Sequence, residues 1–203
     1  RGPREACVPD GERVYAVGDI HGCDDLFAEI VALIEADDAA RGPARTQIVL
    51  LGDLVDRGPS SRAVVERAIA LSQRWPTRWL VGNHEEVFLH ALAGDLRILR
   101  YFLRIGGATT IHSYGIGSIE LTQMPLPELA ERLAQAVPES HVDFLDAGED
   151  VIAIGDYLFV HAGIRPGVPL DEQNVSDLRW IREEFLDDKR PHGRVIVHGH
   201  TIF

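Results

Sequence analysis

Residues 14–22, Val14-Tyr15-Ala16-Val17-Gly18-Asp19-Ile20-His21-Gly22, join a short β-favouring run to a glycine-flanked pair of polar side chains. In extended backbone, residues two apart point the same way, so Asp19 and His21 can converge on one ligand. A helix is expected next, from about Asp25 to Ala36, with Leu26, Ile30, Leu33 and Ile34 at helical spacing. The pattern then repeats. Ile48 to Leu51 reads as a strand, ends in Gly52-Asp53, and is followed past Pro59 by a helical stretch through Val64, Val65 and Ala68. Trp79 to Val81 reads as a third strand and ends in Gly82-Asn83-His84. Asp19, Asp53 and Asn83 are each about one βα unit apart, the spacing that delivers successive residues to one sheet edge. Such edges are where open α/β sheets place their sites.

Further along, the chain changes character. From Glu86 to about Leu145 it reads as mostly helical, broken at Gly106-Gly107 and at Pro125 to Pro127, and it offers few candidate catalytic groups. This segment is expected to be a helical insertion capping the site within a single domain spanning residues 1–203. Strands resume at Val151 to Ile154 and Leu158 to Val160, ending in His161-Ala162-Gly163, and at Val195 to Val197, ending in His198-Gly199-His200. The alternation of strands and amphipathic stretches assigns the α/β class.

Composition narrows the functions. With 45% hydrophobic and 26% charged residues, the 203-residue chain has the make-up of a soluble globular protein. A net charge of −12 argues against nucleic acid or an anionic membrane as the main partner, since both reward a basic face. No apolar run approaches the roughly 20 residues of a spanning helix, and residues Arg1 to Gly11 lack the apolar core of a signal peptide. A cytoplasmic location is the resulting expectation. Cys7 and Cys23 form neither a disulfide framework nor a CxxC thiolate pair.

Five segments therefore carry the chemistry: Gly18-Asp-Ile-His-Gly22, Gly52-Asp-Leu-Val-Asp-Arg-Gly58, Gly82-Asn-His-Glu85, His161-Ala-Gly163 and His198-Gly-His-Thr201. Each follows a β-rich run. Their oxygen and nitrogen donors, with no thiolate, suit manganese, iron or zinc. His198 and His200 lie on one side of an extended segment, and His200 is taken as the ligand. For Arg57 the plainer alternative is an ion pair with Asp53 or Asp56; for Arg182, which shares its segment with Glu183, Glu184 and Lys189, it is a solvated charged face. His90, His112, His141 and His192 read as surface or helix histidines, and Glu85 and Glu86 as the acidic opening of a helix.

In order and spacing, these motifs resemble the calcineurin-like metallophosphoesterase superfamily, and within it the bacterial phosphoprotein phosphatase branch. The resemblance covers essentially the whole chain and implies a β-sandwich of two mixed sheets flanked by helices. It further implies that Asp19 and His21 hold a first divalent ion, that Asp53 bridges two, and that Asn83, His161 and His200 complete the second. Manganese leads the candidate metals, with iron, zinc or nickel compatible. Arg57 resembles the family's phosphate-binding arginine, Arg182 more weakly a second one, and His84 its general acid, oriented by Asp56. The implied reaction is attack on phosphorus by a hydroxide shared between the ions.

The implied substrate is a phosphoprotein, at phosphoserine or phosphothreonine, or a small phosphoester. The nearest competitor is a symmetrical bis(5'-nucleosyl)-tetraphosphatase. Members of that group tend to lack the second aspartate of Gly-Asp-x-Val-Asp-Arg-Gly and to read Gly-Asn-His-Asp, so Asp56 and Glu85 favour the phosphatase. A metal-binding scaffold without catalysis is the alternative of another class. Two departures stand out: Val81 where phage-type relatives carry an arginine, and Phe203 where relatives continue into further strands. Oligomeric state is left open by the sequence.

Overall fold

The computed structural model describes residues 5–202. Its first sheet orders β1 (Glu12–Val17), β2 (Arg45–Leu50) and β3 (Thr77–Trp79), all parallel, with α1 (Asp24–Ala40) and α2 (Ser61–Arg74) as the crossovers. The second sheet orders β4 (Val151–Ile154), β5 (Tyr157–Val160) and β6 (Val195–Val197); β4 runs antiparallel to β5, and β5 parallel to β6. Only this second sheet is mixed. The reason is connection length: a tight turn at Gly155, whose φ is 58°, folds β4 back on β5, whereas helical crossovers return β2 and β3 parallel.

Alternation along β2 explains the layering. Ile48 and Leu50 face the helices with Val64, Val65, Phe27 and Ile34, while Val49 and Leu51 face the second sheet with Leu80, Ile152, Ile154 and Phe159. A strand covered on both faces is apolar throughout, as this one is from Ile48 onward. On the outer side of the second sheet, Leu158 and Val160 pack against Leu178 of α9 (Val175–Trp180) and Phe185 of α10 (Glu183–Leu186). The result is an α/β sandwich of helices, sheet, sheet and helices.

Helix α1 is longer than its sequence pattern predicts, and of the expected stripe Ile34 alone is buried. Phe27, Val31 and Ile34 are buried, whereas Leu26 and Leu33 are 60% and 57% exposed and Ile30 is 37% exposed. Between β3 and β4 lie six helices: α3 (Asn83–Leu92), α4 (Leu96–Ile105), α5 (Gly107–Ser113), α6 (Ser118–Gln123), α7 (Leu126–Ala136) and α8 (Glu139–Asp146). Gly106, with φ 118°, ends α4 and lets α5 start at once. Pro127, read from sequence as part of a break, instead occupies the first turn of α7, where its missing N–H has no helical partner to lose. Trp79 ties these helices to the first sheet by stacking on Phe144 and donating Nε1–H to its carbonyl at 2.9 Å. His141 lies in α8 but is buried, within 3.0 Å of the Tyr114 hydroxyl. No described helix is long and apolar enough to cross a membrane.

Candidate metal centre

The carboxylate of Asp53 sits between two histidines that arrive from opposite sheets. Its Oδ2 lies 3.5 Å from His21 Nε2, beyond β1, and its Oδ1 lies 3.4 Å from His161 Nε2, beyond β5. Behind each ring a backbone carbonyl takes the other nitrogen: His21 Nδ1–H donates to Val55 at 2.9 Å, and His161 Nδ1–H donates to Leu51 at 2.7 Å. Those bonds fix the ring orientations and aim both Nε2 atoms at Asp53. His161 Nε2 is also 3.1 Å from Asn83 Oδ1.

Two clusters result, with Asp53 common to both. His21, Asp53 and His84 offer ligand atoms within 4.8 Å of one another, and so do Asp53, His161 and His200. Asp19 stands beside the second cluster, both carboxylate oxygens accepting the His200 backbone N–H at 3.0 Å. That approach requires Gly199 before it, because a methyl carbon there would overlap Asp19 Oδ1. Gly82 is required similarly, since its added carbon would overlap Asp53 Oδ1.

Whether the residues fit a pair of cations can be tested on their unmet valences. The Nε2 atoms of His21 and His200 are buried with no hydrogen-bond partner, one in each cluster. Such orphaned acceptors cost free energy unless a ligand satisfies them. A shared carboxylate, imidazole nitrogens, an amide oxygen and no thiolate form a donor set for borderline to hard divalent ions. The residues fit.

The bare side chains perturb one another. Burial would raise the Asp53 carboxyl and lower His161, but their mutual attraction prevails: Asp53 falls below the usual carboxylate range and His161 rises to about 9. Burial, with His161 and Arg182 nearby, drops His200 to about 4. His21 is lowered chiefly by burial. At His84, burial pulls down, but the hydrogen bond to Asp56 leaves the ring above its ordinary value.

Beside the clusters, His84 Nδ1–H donates to Asp56 Oδ2 at 2.6 Å, and Arg57 Nη2–H donates to His84 Nε2 at 3.1 Å. Arg57 is exposed and, among the described residues, pairs with no carboxylate, contrary to the ion-pair alternative. Arg182 is also exposed, and its Nη1 reaches Oγ1 of Thr201, the residue after His200, at 3.3 Å. His198 packs edge-on against Phe185, and His200 alone of the pair joins a cluster. Val81 is buried against Gly148, a place for an apolar side chain.

Backbone conformation marks the same residues. Among the described residues, the non-glycine positions with positive φ are His21, Asp53, Asp56, Arg57 and His200. Each such conformation costs on the order of 1–3 kcal/mol and persists only where its surroundings enforce it.

Sequence reasoning missed part of what enforces it. Glu85 is buried, not merely an acidic residue at a helix start: Oε2 accepts Asp53 N–H at 2.7 Å and Gly82 N–H at 2.9 Å, and Oε1 accepts Leu54 N–H at 2.8 Å and Val55 N–H at 3.2 Å. Burial and the Asp53 charge push Glu85 up to about 7, against the pull of these four donors. Ser61 and Thr110 were missed as well; both hydroxyls bond to Asp56. Ser61 follows Gly-Pro-Ser at a helix start, a weak signal; Thr110 has none.

A symmetrical bis(5'-nucleosyl)-tetraphosphatase of Acidovorax sp. (strain JS42) is 46% identical over 84 residues, which are 41% of this chain and only 27% of the relative's length. The asymmetrical bis(5'-nucleosyl)-tetraphosphatase PrpE of Anoxybacillus flavithermus (strain DSM 21510 / WK1) is 26% identical across 91% of this chain and 77% of the relative. Among solved structures, one provisionally described as a diadenosine tetraphosphatase shares the fold with TM-score 0.62 and 22% identity over 96% of this chain and 77% of that one. The family model for calcineurin-like phosphoesterases matches residues 12–202, nearly the whole described chain, and the chain belongs to that family.

Proposed function

We propose that this chain hydrolyses phosphate monoesters, foremost phosphoserine and phosphothreonine in proteins, using two divalent ions of which manganese is the first candidate. Asp19, His21 and Asp53 would hold one ion, and Asp53, Asn83, His161 and His200 the other. The chemistry such ions supply when bound is Lewis-acid polarisation of a phosphoryl oxygen and ionisation of water near neutral pH.

The protein's own part supports the monoester reading. Arg57 presents a planar guanidinium, free of carboxylates among the described residues, that can take two phosphoryl oxygens at once. Once Arg57 turns to the phosphoryl group and frees Nε2, His84 would carry a second proton there for the departing oxygen, and Asp56, 2.6 Å from Nδ1, orients the ring and stabilises its charge. This dyad is the observation that carries the proposal. A serine or threonine alkoxide is a poor leaving group and needs a proton donor; a nucleotide phosphate leaves as a stabilised anion without one.

A second reading, hydrolysis of dinucleoside tetraphosphates, is favoured by the names of the relatives. It gains from Glu85 too: a carboxylate saturated by four backbone N–H groups cannot discriminate substrates, so that argument for the phosphatase falls away. The test is a side-by-side assay of the manganese-loaded protein on a phosphoserine peptide, a phosphothreonine peptide and diadenosine tetraphosphate. Turnover of the peptides is the expected result; hydrolysis of the tetraphosphate alone overturns it in favour of the second reading.

A further inference from the structure

We propose that Thr110, carried by α5, is a positioning residue for the proton donor: its hydroxyl locks the Asp56 carboxylate so that one oxygen faces His84. The inference rests on the reading of His84 as general acid. Asp56 is wholly buried at φ 72°, with its Oδ2 on His84 Nδ1 and its Oδ1 receiving the Thr110 hydroxyl at 2.6 Å. Thr110 is wholly buried too, and 54 residues separate it from Asp56.

Counting protons gives each bond a direction. Thr110 Oγ1 lies 2.8 Å from Ser61 Oγ as well as 2.6 Å from Asp56 Oδ1. A hydroxyl has one proton, and a carboxylate only accepts. The Thr110 proton therefore goes to Asp56, and Ser61 donates to Thr110. With Oδ1 filled, Oδ2 takes the proton on His84 Nδ1, which leaves Nε2 as the nitrogen directed to Arg57 and the opening. Ser61 donates to Thr110 and Thr110 to the Asp56 carboxylate, which accepts from His84 on the other side.

A purely structural role for Thr110 does not account for this arrangement. The Asp56 backbone N–H already reaches Ser61 Oγ at 3.0 Å, so its 2.9 Å approach to Thr110 Oγ1 is redundant for the backbone. The Asp56 carboxylate oxygen, by contrast, takes its hydroxyl donor from Thr110. The same corner of the helical segment also meets the phosphate-binding candidate, because Gly106 C=O accepts the Arg57 N–H at 3.2 Å. The corner between α4 and α5 thus reaches the site through one hydroxyl and one carbonyl.

The test compares Thr110→Val, which keeps the shape and removes the hydroxyl, with Thr110→Ser, which restores it. Substrates are a phosphothreonine peptide and 2,4-dinitrophenyl phosphate, whose leaving group needs no proton. Thr110→Val is expected to lower kcat on the peptide about tenfold, a part of what a general acid supplies. KM, bound manganese and turnover of the dinitrophenyl ester are expected to stay within about twofold. Thr110→Ser is expected to recover most of the loss. In the metal-free protein, the His84 Nδ1–H resonance, identified by its disappearance in His84→Asn, should move in Thr110→Val and return in Thr110→Ser. Unchanged peptide turnover in Thr110→Val, equal losses on both substrates, or an unmoved resonance overturns the inference. If His84→Asn itself leaves peptide turnover intact, the general-acid reading fails, and the resonance alone decides whether Thr110 positions the ring.

Discussion

Glu85 Oε2 accepts the backbone N–H of Asp53 at 2.7 Å, so the residue proposed to bridge two cations is held from behind by a buried carboxylate. Each oxygen of Glu85 receives two N–H donors, and only a carboxylate offers acceptors on both sides. Glu85→Gln would turn an NH2 group toward two N–H groups. At about 1–3 kcal/mol for each of the two unsatisfied donors, the variant is expected to lose about 2–6 kcal/mol of stability. Its manganese affinity should fall as well, because the Asp53 loop loses its anchor. Urea unfolding and a metal titration check both; a variant as stable as the parent would contradict the role.

His84→Asn should keep the metals and lose the acid. On a phosphothreonine peptide kcat is expected to fall roughly 10²- to 10⁴-fold, with little change on an activated aryl phosphate. Steady-state kinetics on the two substrates measure this, and uniform loss on both would point to damage of the whole centre instead of a missing proton.

Asp53→Asn addresses the two clusters at once, since each of its oxygens faces a different histidine. The parent should gain about 2.7 kcal/mol for each manganese site when the ion is at a hundred times its Kd. In the variant most of that thermal shift should vanish, and bound manganese by elemental analysis should fall from two ions toward one or none. Retention of two ions with full activity is the result that removes Asp53 from the bridge.

Stability should also respond to acid through His141, far from these clusters. Burial lowers its pKa below the ordinary 6.5. The unfolded chain then binds the extra proton first, so this contribution is fully present above about pH 6.5 and is lost as pH falls toward the folded value. The double variant Tyr114→Phe, His141→Leu removes the buried pair together and should lose less Tm than the parent between about pH 7.5 and pH 5. Identical pH slopes would assign the acid sensitivity elsewhere.

How much of this is legible in the sequence depends on the range of the interaction. Asp19, Asp53, Asn83 and His161 can be read as gathering because each directly follows a β-rich run, and parallel pairing of β1, β2 and β3 brings the loops to one edge. The inward face of α1 cannot be read this way. Leu26, Ile30 and Leu33 form one apolar stripe and Phe27, Val31 and Ile34 another, one residue around the helix, and periodicity does not choose between them. Thr110 is less legible still, a hydroxyl in a helical stretch whose partner lies two elements earlier. Glu85 shows a third limit: its acidity suits a helix start, but its burial depends on the Asp53 loop folding over it.

The positive φ angles at Asp56 and Arg57, 72° and 66°, set durability against turnover at the same positions. Glycine adopts such backbone without penalty. A library screened only for heat resistance should therefore enrich glycine at position 57, and the hardier proteins it yields would lack the guanidinium proposed to grip phosphate.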